Sequence, residues 1–124
     1  MGNSILLYLG AVITFLWGAA HLFPTGNIVR GFGNITEDNK NIITMEWIIE
    51  GVSLIFTGII VSGITIIGEV NNVATFVYVA SSGFLIVLAI ISLFTGFKVK
   101  FLPFKLCPVL FTLSAVLILT GCFA

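Results

Sequence analysis

An all-α membrane protein, four helices crossing the bilayer in an up-down-up-down bundle, is the fold this sequence predicts, on three observations. Of its 124 residues 59% are hydrophobic and only 8% charged, and the mean hydropathy is +1.23. A water-facing surface needs roughly a quarter of a domain's residues charged, so lipid is the solvent for most of these side chains. The apolar residues fall into four runs, 4–23, 42–68, 73–97 and 102–123, each near the length of about 20 residues that a helix needs to cross a bilayer. The links from Glu69 to Asn72 and from Lys98 to Lys100 are short, and short links make antiparallel neighbours. The whole chain, 1–124, reads as one transmembrane domain.

The first span ends at Pro24. It is long enough to cross the membrane and no basic segment precedes it, so it reads as a span and not as a signal peptide. Next comes the one long link, PTGNIVRGFGNITEDNK from Pro24 to Lys40. Gly26, Gly31 and Gly33 argue against a regular helix in its first half. Ile28, Val29, Phe32 and Ile35 suit the membrane surface. Thr36 followed by Glu37 and Asp38 has the form of a helix N-cap with acids in the first turn, so the second helix is expected to begin near Glu37, outside the bilayer. In the fourth span Pro103 suits a first turn and Pro108 a kink. Lys105 is placed to snorkel to the headgroups, and Trp17 and Trp47 to anchor at an interface.

Every Lys and Arg falls on one side of such a bundle: Arg30 and Lys40 in the first link, Lys98 and Lys100 in the third, Lys105 just beyond. That asymmetry predicts a cytoplasmic first link and both termini outside. The sequon Asn34-Ile35-Thr36 would then lie on the wrong side for glycosylation. Five basic residues balance five acidic ones, which offers nothing to a nucleic acid. Cys107 and Cys122 lie about 22 Å apart along one helix at 1.5 Å per residue, too far to bridge within it, and they read as small apolar fillers.

In lipid, small and polar residues decide which helix faces meet. The first span offers Gly10, Thr14, Trp17 and His21. The second offers Glu46, Glu50, Ser53 and Thr57, a stripe running inward from the membrane surface. Antiparallel packing sets His21 level with the two glutamates, Trp17 near Ser53 and Thr14 near Thr57. Gly58 and Ser62 add a small-residue pair. The third span has Thr75, Tyr78, Ser82, Ala89, Ser92 and Gly96, and the fourth Thr112, Ala115 and Cys122.

Glu50 is the residue that ordinary packing explains least, because an acid at the centre of a span costs about 2.5–3.5 kcal/mol on insertion scales. It needs a proton or a partner, and His21, Arg30 and Lys40 are within reach of its helix end. Three readings stay open. His21, Glu46, Glu50 and Arg30 form a clasp between the first two spans; or they line a polar pocket for a proton, cation or small polar ligand; or Glu46, Glu50 and His21 ligate a metal or do catalysis. Glu-x-x-x-Glu plus one His can supply three ligands, but di-metal bundles use Glu-x-x-His pairs, which do not occur here. One histidine excludes bis-histidine haem ligation. There is no C-x-x-C pair, phosphate-binding glycine motif or nucleophile elbow, and no cofactor is read.

The run HLFPT (21–25), followed by GFGNITEDNKNIITMEWIIEG (31–51) and SLIFTGIIVSG (53–63), resembles a pattern of small uncharacterised four-span prokaryotic membrane proteins. It covers the end of the first span, the long link and most of the second span. The resemblance implies a prokaryotic cytoplasmic-membrane location and carries no activity. Small multidrug resistance transporters hold an essential Glu in their first helix, which has none here. The Gly/Asn/Phe-rich signature of small fluoride channels has no counterpart.

The expected function is that of a small, non-enzymatic membrane protein, accessory to a membrane-protein partner or forming a homo-oligomer. The alternatives are a transporter or channel subunit working through Glu50 and His21, and an enzyme acting on a lipid or a quinone.

Overall fold

A computed structural model describes residues 2–124, helices joined by short turns, bends and irregular stretches, with no strand among them. Four of its helices are long and apolar enough to cross a membrane. The outward side chains are largely Ile, Val, Leu and Phe, which suits lipid.

Helix α1 (Ser4–Leu22) starts at Asn3, whose side chain accepts from the N–H groups of Ile5 and Leu6. A short helix α2 (Thr25–Arg30) follows, where the glycines argued for irregular chain. Pro24 opens it and the N–H of Gly31 closes it on the carbonyls of Asn27 and Ile28. One internal glycine, at a cost of about 1 kcal/mol, does not outweigh two well-placed ends. Helix α3 (Glu37–Ile67) begins at the expected cap, with Thr36 Oγ1 accepting from Asn39 N at 3.2 Å. Its 31 residues span about 46 Å at 1.5 Å per residue, longer than a hydrocarbon core of about 30 Å, so its first turns extend beyond an apolar layer. Gly68 ends it with φ +75°, a conformation that costs glycine little.

Helix α4 (Asn72–Phe94) is capped by Asn71, and a 3-10 turn (Gly96–Lys98) leads on to α5 (Leu102–Phe123). Pro103 sits in the first turn of α5, while Pro108 lies buried inside it. Lys105 does more than snorkel. Its Nζ donates to the Phe97 carbonyl at 2.7 Å and lies 4.7 Å from the Phe97 ring centre, which ties α5 to the preceding turn.

Helix α1 packs on both α3 and α5, and α5 packs on α4. Glycines make the α1–α3 approach close. A Cβ on Gly18 would sit 2.7 Å from Leu54 Cβ, and one on Gly58 would sit 2.8 Å from the Ala11 carbonyl oxygen. Rising numbers on α1 thus meet falling numbers on α3. The same holds on α5, where Gly10 meets Ser114 and Ile118, and Leu7 meets Gly121. Gly58 therefore spends its small face within the chain, and Thr112 is exposed while Ser114, Ala115 and Ile118 are buried.

Helices α3 and α4 make only a small contact. Near their shared turn they are held by Thr65 Oγ1 and Tyr78 Oη, both buried and 2.9 Å apart. Interhelical hydrogen bonds in membranes average about 0.6 kcal/mol and reach about 1.7. Tyr78→Phe is therefore expected to lower equilibrium unfolding stability in mixed micelles within that range. A larger loss would mean that the hydroxyl supports more than this seam.

Candidate functional site: an aromatic cavity with one acid

At the end of the molecule where α1 finishes, α3 and α5 begin and α4 finishes, the helices flank a half-open cavity of about 650 Å³. Its wall is mostly apolar and aromatic, with Trp17, Trp47, Phe101 and Phe104 among the lining side chains. His21, Glu50, Ser92, Thr95 and Cys107 are the polar exceptions.

His21 comes from the last turn of α1 and Glu50 from the second quarter of α3. Antiparallel packing of α1 on α3 brings them together, with His21 Nε2 3.3 Å from Glu50 Oε2. The imidazole is 8% exposed and the Glu50 side chain 39% exposed, so the acid is the member of the pair that faces open space. The contact is within ion-pair distance, yet Nε2 makes no aligned hydrogen bond among the described residues, and neither does the buried indole N–H of Trp17. Buried polar atoms are nearly always hydrogen-bonded, so two such atoms on one cavity wall are unusual.

Trp47 holds the pair in place from the α3 side. Its indole N–H donates to the His21 carbonyl at 2.7 Å, and its ring stacks on the imidazole with centroids 3.8 Å apart and planes 15° apart. The carbonyls of a helix's last turn lack intrahelical donors, so Trp47 acts as a tertiary cap on α1. Phe104 of α5 then leans on Trp47 at 5.6 Å. Trp47 and Trp17, which suited interface anchors, both line the cavity wall.

The remaining predicted site residues lie elsewhere. Arg30 is exposed and bonds to Asn27 three residues back, not to Glu50. Lys40 pairs with Glu37 at 3.1 Å. Glu46 is exposed and lines a second, shallower groove between α3 and α4, which also includes Ser53, Phe84 and Leu88. Thr57 is buried, but its hydroxyl donates to the Ser53 carbonyl at 2.8 Å, as Thr14 does to Gly10. The stripe on α3 is thus largely satisfied within its own helix, and only Glu50 reaches a polar group of another helix. No cluster of three or more His, Cys, Asp and Glu side chains fit to hold a metal occurs among the described residues, since Glu46 stays apart from His21.

Sequence reasoning missed the contribution of α5, from Phe101 to Cys107, and of Ile91 and Ser92 on α4. One signal was available. Trp17 precedes His21 by four residues and Trp47 precedes Glu50 by three, so each polar residue shares a helical face with an aromatic one.

Comparison of the chain with protein-family models, with curated proteins and with solved structures finds no match.

Proposed function

We propose that this is a non-enzymatic integral membrane protein, an up-down-up-down bundle, that binds an amphiphilic small molecule in the cavity beside Glu50. The Lys and Arg asymmetry supports an orientation with both termini outside and the cavity at the cytoplasmic side. One observation carries the binding reading: a half-exposed carboxyl group, in contact with a buried histidine, faces an apolar cavity of about 650 Å³. Cavities of this size, apolar with a few convergent polar groups, are the usual form of small-molecule sites.

The competing reading is a structural clasp between α1 and α3. Trp47 already supplies that clasp through its hydrogen bond and stacking on His21. Glu50 adds one unaligned contact, while an acid within a span carries a cost of up to about 2.5–3.5 kcal/mol. A residue needed only for packing would not be an acid, and binding accounts for it better.

The chain's two tryptophans both line the cavity, so intrinsic fluorescence reports on it. In lipid nanodiscs, an undecyl amphiphile tipped with bromine is expected to quench that emission saturably. Ser92→Phe, growing from the cavity wall, is expected to remove the saturable part; Thr112→Phe on an exposed face is expected to leave it. Quenching that rises linearly with probe, as simple partition into lipid would give, and that is equal in Ser92→Phe, would remove the binding reading.

A further inference from the structure

We infer that the cavity's ligand is an amphiphilic cation, a molecule with an apolar body and a positively charged amine or quaternary ammonium head that sits against Glu50. The inference rests on the binding reading above and adds the class of ligand.

Charge on the cavity wall is the first ground. Among the described residues Glu50 is its only acid, and no Lys or Arg lines it. Three of the five basic side chains are engaged elsewhere, Arg30 on Asn27, Lys40 on Glu37 and Lys105 on the Phe97 carbonyl, while Lys98 and Lys100 are exposed. An anionic head would meet the carboxylate with like charge and a neutral head could offer it at most an uncharged hydrogen bond, while the contact with His21 is not an aligned hydrogen bond. A cationic head pairs with the free side of the carboxylate in a medium of low dielectric, where such pairing is strong.

The second ground is the aromatic part of the wall. Trp17, Phe101 and Phe104 bring aromatic rings to the same chamber, and ring faces attract cations, most strongly when these are desolvated. The third is the route in. The groove between α3 and α4 shares Trp47, Glu50 and Leu88 with the cavity. Its own additional charged residue is Glu46, again an acid, one helical turn before Glu50. A cation arriving from the bilayer between α3 and α4 meets Glu46 first and Glu50 second, and among the described residues no Lys or Arg lines the groove or the cavity.

The test uses three bromine-tipped undecyl probes with different heads: trimethylammonium, hydroxyl and carboxylate. Tryptophan quenching is titrated in nanodiscs of phosphatidylcholine, whose zero net charge keeps the lipid surface from sorting the probes. The ammonium probe is expected to bind roughly tenfold or more tighter than the alcohol, the gain of one charge-assisted contact, and the carboxylate to bind weakest. Glu50→Gln is expected to erase the preference for ammonium over alcohol. The wild-type ranking is decisive without any variant, should Glu50→Gln not fold. Equal binding of ammonium and alcohol, or a preference for the carboxylate, overturns the cation while the amphiphile site stands. No saturable quenching by any of the three overturns both.

Discussion

Trp47→Ala is expected to cost up to about 3–5 kcal/mol of unfolding stability, the range for removing a fully buried aromatic, Trp47 being half-buried. Three contacts go at once: the hydrogen bond to the His21 carbonyl at 2.7 Å, the stacked imidazole at 3.8 Å and the tilted Phe104 ring at 5.6 Å. The variants separate these parts. Trp47→Phe keeps an aromatic ring and loses only the N–H, so it is expected to cost about 0.6–1.7 kcal/mol. Equilibrium unfolding in mixed micelles reads both. If the two variants lose the same amount, Trp47 works through its hydrogen bond alone and the stacked aromatic wall is not a structural element.

Gly18→Val is expected to cost at least about 3 kcal/mol, at or beyond the upper end of what overpacking typically does. The added Cβ would lie 2.7 Å from Leu54 Cβ, 2.8 Å from the Gly51 carbonyl oxygen and 2.9 Å from Ile55 N. Two of these neighbours are backbone atoms, which cannot swing aside, so α1 and α3 must separate. That separation also moves His21 away from Glu50, because the same two helices carry both. Gly63→Ala is the internal control. Nothing lies within 4 Å of the position a Cβ would take there, and removing a mid-helix glycine is worth roughly 0.5–1 kcal/mol. A destabilised Gly63→Ala, or an unaffected Gly18→Val, would mean that the helices do not pack along this seam.

How much of this was legible beforehand differs by element. Four long apolar runs could be read because a bilayer demands length and backbone satisfaction, and the start of α3 because Thr36, Glu37 and Asp38 fit one local geometry. The meeting of His21 and Glu50 was legible too, since antiparallel packing sets the register. The place of Arg30 was not, because a near neighbour, Asn27, competes with a distant acid at far smaller entropic cost. Nor was the cavity. A void comes from helices that meet at Thr65 and Tyr78 and leave a groove between them near Glu46 and Phe84, and no residue pattern encodes such a gap. Nothing in the sequence singled out Phe101 or Phe104 at the start of α5, and only the fold shows that Phe104 leans on Trp47.

The measurement that goes most directly to the binding site is anomalous X-ray diffraction from crystals grown in lipid with the bromine-tipped ammonium probe. The account predicts a bromine peak inside the chamber or its α3–α4 groove, with the ammonium head against Glu50 and between Trp17 and Phe104. Bromine found only along the outer, lipid-facing surfaces, with the chamber between His21, Glu50 and Phe104 free of probe, would contradict it.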